Sequence, residues 1–169
     1  MVKFKSKSMI NNIVKIIGIF LCLFCTQSLK AQIISLGAKY DKAAMFQASF
    51  NIPVLFDKHK PYDFAVGLDY TSPNAKAPSG LQPQFTAMYF LVDDKYKSYN
   101  ISAGITSGYL FDFNKEFNNQ FRVNPYVYME VFPFTIKVGH EYVMPLNQGQ
   151  FFVSLGIGGG YLFRHFSIM

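Results

Sequence analysis

The stretch from Phe46 to Val54 reads F-Q-A-S-F-N-I-P-V and alternates apolar with polar side chains. In an extended strand, successive side chains point to opposite faces. Phe46 and the apolar residues that follow it therefore share one face, while Gln47, Ser49 and Asn51 share the other. The stretch predicts a strand with one apolar face and one face of small polar groups.

The same alternation recurs through residues 33–169, and no window of helical length shows the apolar spacing of an amphipathic helix. It predicts one all-β domain, a closed antiparallel up-and-down barrel of eight strands. The predicted strands cover residues 34–41, 44–54, 63–71, 83–91, 98–111, 121–131, 134–143 and 151–163. In the last of these, Tyr161 is expected on the apolar face with Phe151, opposite Gly156 and Gly158.

The polar face predicts which side of the barrel turns outward. A soluble barrel hides its apolar face, whereas a membrane barrel exposes it and fills a narrow lumen with small and polar side chains. The glycine-rich, amide-rich and hydroxyl-rich second face favours a transmembrane barrel. Aromatic residues near the strand ends are then candidates for two interfacial girdles. These are Tyr40, Tyr70, Tyr109 and Tyr142 near the outer end, and Phe64, Tyr89, Tyr99 and Phe163 near the periplasmic end.

The first 32 residues have the organisation of a cleaved secretory signal peptide. Lys3, Lys5 and Lys7 precede an apolar run over residues 16–25, and the segment closes on S-L-K-A-Q. The apolar run is too short for a spanning helix, which needs about twenty residues. Five of the sixteen basic residues and none of the ten acidic ones lie in this segment, which leaves eleven basic against ten acidic. The high pI therefore belongs to the signal and does not predict nucleic-acid binding.

Several charged residues fall on the predicted lumen face. They are candidates for buried ion pairs, because a charge away from water needs a partner: Lys39, Asp69, Arg122, Glu130, Lys137 and Glu141. A tight hairpin at Phe132-Pro133 would put Glu130 diagonally beside Lys137, and Arg122 diagonally beside Glu141. We interpret these charges as a structural network that plugs the lumen. A proton path or selective conduit is the alternative.

The sequence contains little that predicts catalysis. Both cysteines lie in the signal, no nucleotide-binding or metalloprotease motif is present, and no cluster of residues predicts a metal or cofactor site. His165 and Ser167 form an H-x-S step that loosely resembles lipid A deacylases, but no later strand can supply an orienting acid. We therefore expect a non-enzymatic protein with no catalytic residues.

The signal ending in K-A-Q, the eight alternating strands and the aromatic-rich segment G-G-G-Y-L-F-R-H-F resemble the small outer-membrane β-barrels of Bacteroidota. OmpX and the membrane domain of OmpA have the same architecture. The resemblance implies a location in the outer membrane of a Gram-negative cell envelope, with membrane lipid as the main partner. The chain ends in Ser167-Ile168-Met169 rather than at the terminal aromatic residue common in such barrels.

The outer links around Thr71–Leu81 and Asn114–Gln120 are the best candidates for contact with a protein partner, because loops carry function. Such a role would be structural or interactive, as a subunit of an envelope assembly. A secreted or periplasmic lipocalin-like barrel that binds a small apolar ligand is the first alternative, and it requires the aromatic face to point inward. A lipid-modifying outer-membrane enzyme is the second.

Overall fold

The computed structural model describes residues 33–94, 96–113, 117–144 and 148–165, so the expected signal peptide over residues 1–32 lies outside the described residues. The predicted fold is confirmed: eight strands form a closed barrel in which sequence neighbours pair antiparallel and the last strand pairs with the first. The strands are β1 (Ile33–Tyr40), β2 (Ala44–Pro53), β3 (Tyr62–Thr71), β4 (Gly80–Asp93), β5 (Tyr99–Asp112), β6 (Gln120–Val131), β7 (Phe134–Met144) and β8 (Gln148–Gly159). A short 3₁₀-helix, η1 (Tyr161–His165), follows.

The predicted course of the last strand is wrong at its end. β8 stops at Gly159, and Tyr161 is only 4% exposed instead of facing outward. Gly158 and Gly159 adopt φ values of +129° and +101°, a conformation that residues with a Cβ atom rarely reach. The two glycines turn the chain off the barrel wall, so η1 belongs to the mouth of the barrel and not to its wall.

The alternation places the apolar face outside. Every strand turns large apolar side chains outward, and in β8 the exposed fractions reach 54% at Leu155, 60% at Ile157 and 77% at Phe151. In the eight strands as described, no Asp, Glu, Lys or Arg stands at an outward position. The charged side chains of the strands point into the lumen instead.

The two ends of the barrel differ in what covers them. The termini end carries the start of β1, η1 and the links 54–61, 94–98 and 132–133. The loop end carries the links 41–43, 72–79, 113–119 and 145–147. Each end has one link of eight residues, so link length separates the ends less than the sequence predicts. The link 72–79 folds inward, with Ala77 and Ser79 fully buried.

Candidate functional site

A buried ion-pair cluster occupies the lumen near the loop end. Glu141 Oε1 lies 3.0 Å from Lys39 Nζ and 3.1 Å from Arg122 Nη1. Gln150 Nε2 donates to Glu141 Oε2 at 3.2 Å and to Asp41 Oδ2 at 3.0 Å. Glu141, Arg122 and Lys39 are 0%, 1% and 4% exposed. One carboxylate therefore holds two cations together, and its second oxygen is also hydrogen-bonded.

The middle of the lumen holds Asp69 and Lys137, neither of which is ion-paired to a described residue. The Asp69 carboxylate accepts hydrogen bonds from Gln47 Nε2 at 2.7 Å and from the Ser49 hydroxyl. Lys137 Nζ lies 4.2 Å from the centre of the Tyr126 ring, a cation–π contact. Within the described residues, no hydrogen bond or ion pair reaches this ammonium group. Lys137 is thus a lumen cation held by an aromatic face.

The predicted neighbours Glu130 and Lys137 do not pair, in contrast to Arg122 and Glu141. Glu130 lies opposite Thr135 and Lys137 opposite Tyr128, whereas Arg122 lies opposite Val143. The two predicted pairs therefore span opposite diagonals of the β6–β7 ladder. The right-handed twist of a sheet makes the two diagonals unequal, so equal sequence spacing does not give equal separation. Only the Arg122–Glu141 diagonal brings its charges together.

Glu130 instead anchors the C-terminal segment at the termini end. Its carboxylate accepts hydrogen bonds from the backbone N–H groups of Gly160 at 2.9 Å and Tyr161 at 3.1 Å, and from the Tyr128 hydroxyl at 3.2 Å. A Cβ atom on Gly159 would lie 2.7 Å from this carboxylate. Glycine at position 159 therefore permits both the turn and the close approach of Glu130.

Tyr161 closes the lumen at this end. Its ring makes edge contacts with Phe90 and Tyr128, at centroid distances of 5.5 and 6.1 Å. Ile33 and Met88 complete the small apolar cluster around it. Burial raises the pKa of the Tyr161 phenol well above its usual value. We call this side chain the Tyr161 plug, and it is neutral at physiological pH.

Arg164 fastens the same segment at the mouth of the barrel. Its guanidinium donates to the backbone carbonyls of Asp57 and Lys60, lies 3.0 Å from Asp93 Oδ2 and stacks over Phe90 at 4.0 Å. The backbone N–H of His59 donates to the Asp57 carboxylate and lowers the pKa of that group. The link 54–61, the end of β4 and η1 are thereby tied into one cover over the mouth.

Between the ion-pair cluster and the Tyr161 plug lies a central cavity of about 70 Å³. Gln47, Thr86, Lys137 and Tyr161 are among the residues that line it. This volume admits a few water molecules. It is well below the roughly 300 Å³ at which pockets for small organic ligands begin. The central cavity is therefore too small for a lipid or a lipocalin-type ligand.

The aromatic residues predicted for the two girdles lie on the outside of the barrel. Seven of them stand at outward strand positions, and the eighth, Phe163, belongs to η1 and is 43% exposed. At the loop end, Tyr142 lies 4.3 Å from the His140 ring, which also contacts Phe151. At the termini end, Phe64 stacks on Phe85 at 6.0 Å.

Two buried polar residues, Asp63 and Gln120, were not predicted as candidate functional residues. Asp63 is fully buried and accepts hydrogen bonds from the backbone N–H groups of Leu55, Phe56 and Phe64. Gln120 is 3% exposed, and its Nε2 atom has no hydrogen-bond partner among the described residues. Alternation placed both side chains inward, but it does not predict the backbone partners of Asp63 or the lack of a partner at Gln120.

The described residues contain no group of three or more His, Cys, Asp or Glu side chains placed to hold a metal ion. They include no helix long and apolar enough to cross a membrane. The H-x-S step falls on His165, whose side chain lies outside the described part, and on Ser167, which lies beyond it. Comparison with protein-family models, curated proteins and solved structures found no match.

Proposed function

We propose that the mature chain is an integral outer-membrane β-barrel, non-enzymatic, with a structural or interaction role in the cell envelope. The observation that carries the proposal is the division of side chains between the two faces of the wall. Large apolar side chains of all eight strands face outward, and the charged strand residues face the lumen. The resemblance to small barrels of Bacteroidota and the signal-like first 32 residues belong to the same proposal.

Lipid is the solvent that suits this exterior. Monomeric soluble proteins rarely expose contiguous apolar patches larger than a few hundred Å², whereas here the apolar surface continues around the barrel. A closed barrel also satisfies the backbone hydrogen bonds of its wall internally, which lipid requires. Aromatic side chains near both strand ends, such as Tyr142 and Phe64, suit the two membrane interfaces.

The filled lumen favours a structural role over conduction. The Lys39–Glu141–Arg122 cluster blocks one side of the central cavity, and Tyr161 blocks the other. The loop end and its links are then the surface for contact with partners. The lipocalin-like alternative needs an apolar cavity inside the barrel, and the central cavity of about 70 Å³ speaks against it.

Fractionation of cells that express the full chain tests the proposal. We expect the protein in the outer-membrane fraction, where alkaline carbonate does not release it. A periplasmic protein recovered without detergent would contradict the proposal and favour the lipocalin-like alternative. Lipid A profiles of the same cells, with and without His165→Ala, test the non-enzymatic part, and a profile that depends on His165 would overturn it.

A further inference from the structure

The loop end of the barrel opens onto a second cavity, larger than the central one. Its volume is about 410 Å³, within the range of pockets that bind small organic ligands. We call it the vestibule. Its lining includes Lys42, Pro78, Phe117, Gln120, Gln148 and Gln150. Three amide side chains, one ammonium group and one aromatic ring therefore meet in one space of ligand size.

Gln120 lines the vestibule and carries an unsatisfied donor. The residue is 97% buried, yet its Nε2 atom has no partner in the described part of the chain. Gln150, by contrast, uses its Nε2 atom fully, on Asp41 and Glu141. A buried donor left without an acceptor is destabilising, because it has lost its hydrogen bonds to water without a replacement. A native protein keeps such a group where water or a ligand supplies the acceptor.

Arg122, at the next inward position of β6, does not line the vestibule but has two more unpartnered donors. Its Nη1 atom is taken by Glu141, while Nε and Nη2 have no partner among the described residues. Nε–H and Nη2–H lie on one edge of the planar guanidinium, the fork that matches two oxygens of a carboxylate. An unpartnered acceptor, Asn124 Oδ1, lies one inward position deeper, on the side away from the vestibule.

The acidic groups around the vestibule are already engaged. Glu141 accepts from Lys39, Arg122 and Gln150, and Asp41 accepts from Gln150. Asp112 accepts hydrogen bonds from the backbone N–H groups of Ser79 and Phe117. The buried group of the lining that lacks a partner among the described residues is a donor, Gln120 Nε2, so a ligand must bring it an acceptor oxygen.

We propose that the vestibule binds a small sugar acid. Its carboxylate would accept hydrogen bonds from Gln120 and Lys42, above the free edge of Arg122. Its hydroxyl groups would meet the Gln148 amide, which can both donate and accept, and the Gln150 amide oxygen, which can accept. Phe117 and Pro78 supply an apolar wall for the ring. The volume exceeds what a single inorganic anion fills, which favours a ligand of sugar size.

Titration of the purified full chain with galacturonate, followed by calorimetry, tests this proposal, with galactose as the neutral ligand of matched shape. We expect saturable binding of galacturonate at least tenfold tighter than that of galactose. Gln120→Glu, which replaces the donor by an acceptor, should weaken galacturonate binding at least tenfold. Lys42→Gln should weaken it several-fold, and Lys97→Gln, which removes an exposed lysine at the other end, should leave it unchanged.

The proposal would be overturned if galacturonate showed no saturable binding. It would also be overturned if Gln120→Glu unfolded at the wild-type temperature and bound galacturonate as tightly as the wild type. Ordered water would then be the partner of Gln120. Sulfate bound as tightly as galacturonate would overturn the assignment to sugar acids. If Gln120→Glu does not fold, the comparison of Lys42→Gln with Lys97→Gln tests the proposal. Equal galacturonate binding by these two variants would overturn it. The titration is done in detergent, or in plain buffer if the folded chain proves to need no detergent, so its failure is distinct from failure of the membrane proposal.

Discussion

Lys39 Nζ lies 3.0 Å from Glu141 Oε1, and the same oxygen accepts a hydrogen bond from Arg122 at 3.1 Å. The three residues come from β1, β7 and β6, so a single carboxylate links three strands across the lumen. All three side chains are almost completely buried. Because none can turn to water, each depends on the others for its charge to be tolerated.

Glu141→Gln should be strongly destabilising. The substitution keeps the shape but removes the counter-charge of Arg122 and leaves Lys39 only its longer contact with Asp41, at 4.0 Å. Breaking a buried pair in this way costs about 3–5 kcal/mol. Urea unfolding of the barrel in detergent micelles measures the effect. Asp94→Asn is the matched control, because Asp94 is exposed in the link 94–98. A loss no larger than that of the control would show that the cluster is not a structural element.

Lys137→Met and Lys39→Met should have opposite effects on the free energy of unfolding. Lys137 lies over the Tyr126 ring and has no ion pair among the residues that the structure describes, so a methionine keeps the packing and removes a buried charge. We expect the Lys137→Met variant to be as stable as the wild type or more stable. Lys39→Met removes one charged partner of Glu141 and should cost roughly 1.5–3 kcal/mol. Equal losses in both variants would contradict the distinction between the two lysines.

Glu130→Ala should release the C-terminal plug. The amides of Gly160 and Tyr161 donate to the Glu130 carboxylate, and a hydrogen bond to a charged group contributes about 1.5–3 kcal/mol. Hydrogen exchange at these two amides should accelerate roughly 10- to 100-fold. The amide of Ser72, bonded to Phe46 at the loop end, is the internal reference. Unchanged exchange at Gly160 and Tyr161 would show that other contacts hold the segment.

Val138→Lys should be poorly tolerated in a bilayer. Val138 is 45% exposed, near the middle of the wall and between Val127 and Val153. A lysine at the bilayer midplane of a barrel costs about 2–4 kcal/mol. Unfolding of the barrel in phospholipid vesicles measures this cost. Val54→Lys, in the link 54–61, is the control and should change stability by less than about 0.5 kcal/mol. Equal effects would argue that Val138 does not face lipid.

The fold was predictable because the barrel wall depends on alternation, which is a local property of the chain. Phe46–Val54 shows it within nine residues, and the pairing of neighbouring strands follows from the short links. Alternation also placed the lumen charges on the inward face. Alternation does not predict the positive φ angles of Gly158 and Gly159. These angles turn the chain so that Tyr161 enters the mouth of the barrel.

The contacts of the lumen were only partly predictable. The pair Arg122–Glu141 follows from the β6–β7 ladder, but the same spacing suggested Glu130–Lys137, which the twist separates. Glu130 bonds to backbone amides, and such partners have no sequence signature. The unsatisfied Gln120 is visible only once the lining of the vestibule is known, because an amide on a strand usually finds a partner.

Refolding of residues 33–169 tests most directly whether the exterior of this barrel faces lipid. Urea-denatured chain is diluted into buffer alone, into detergent micelles and into phospholipid vesicles, and its state is followed by circular dichroism and size-exclusion chromatography. We predict a folded β-barrel in micelles and vesicles and aggregation in buffer alone. A folded, monodisperse monomer in buffer without detergent or lipid would contradict the account.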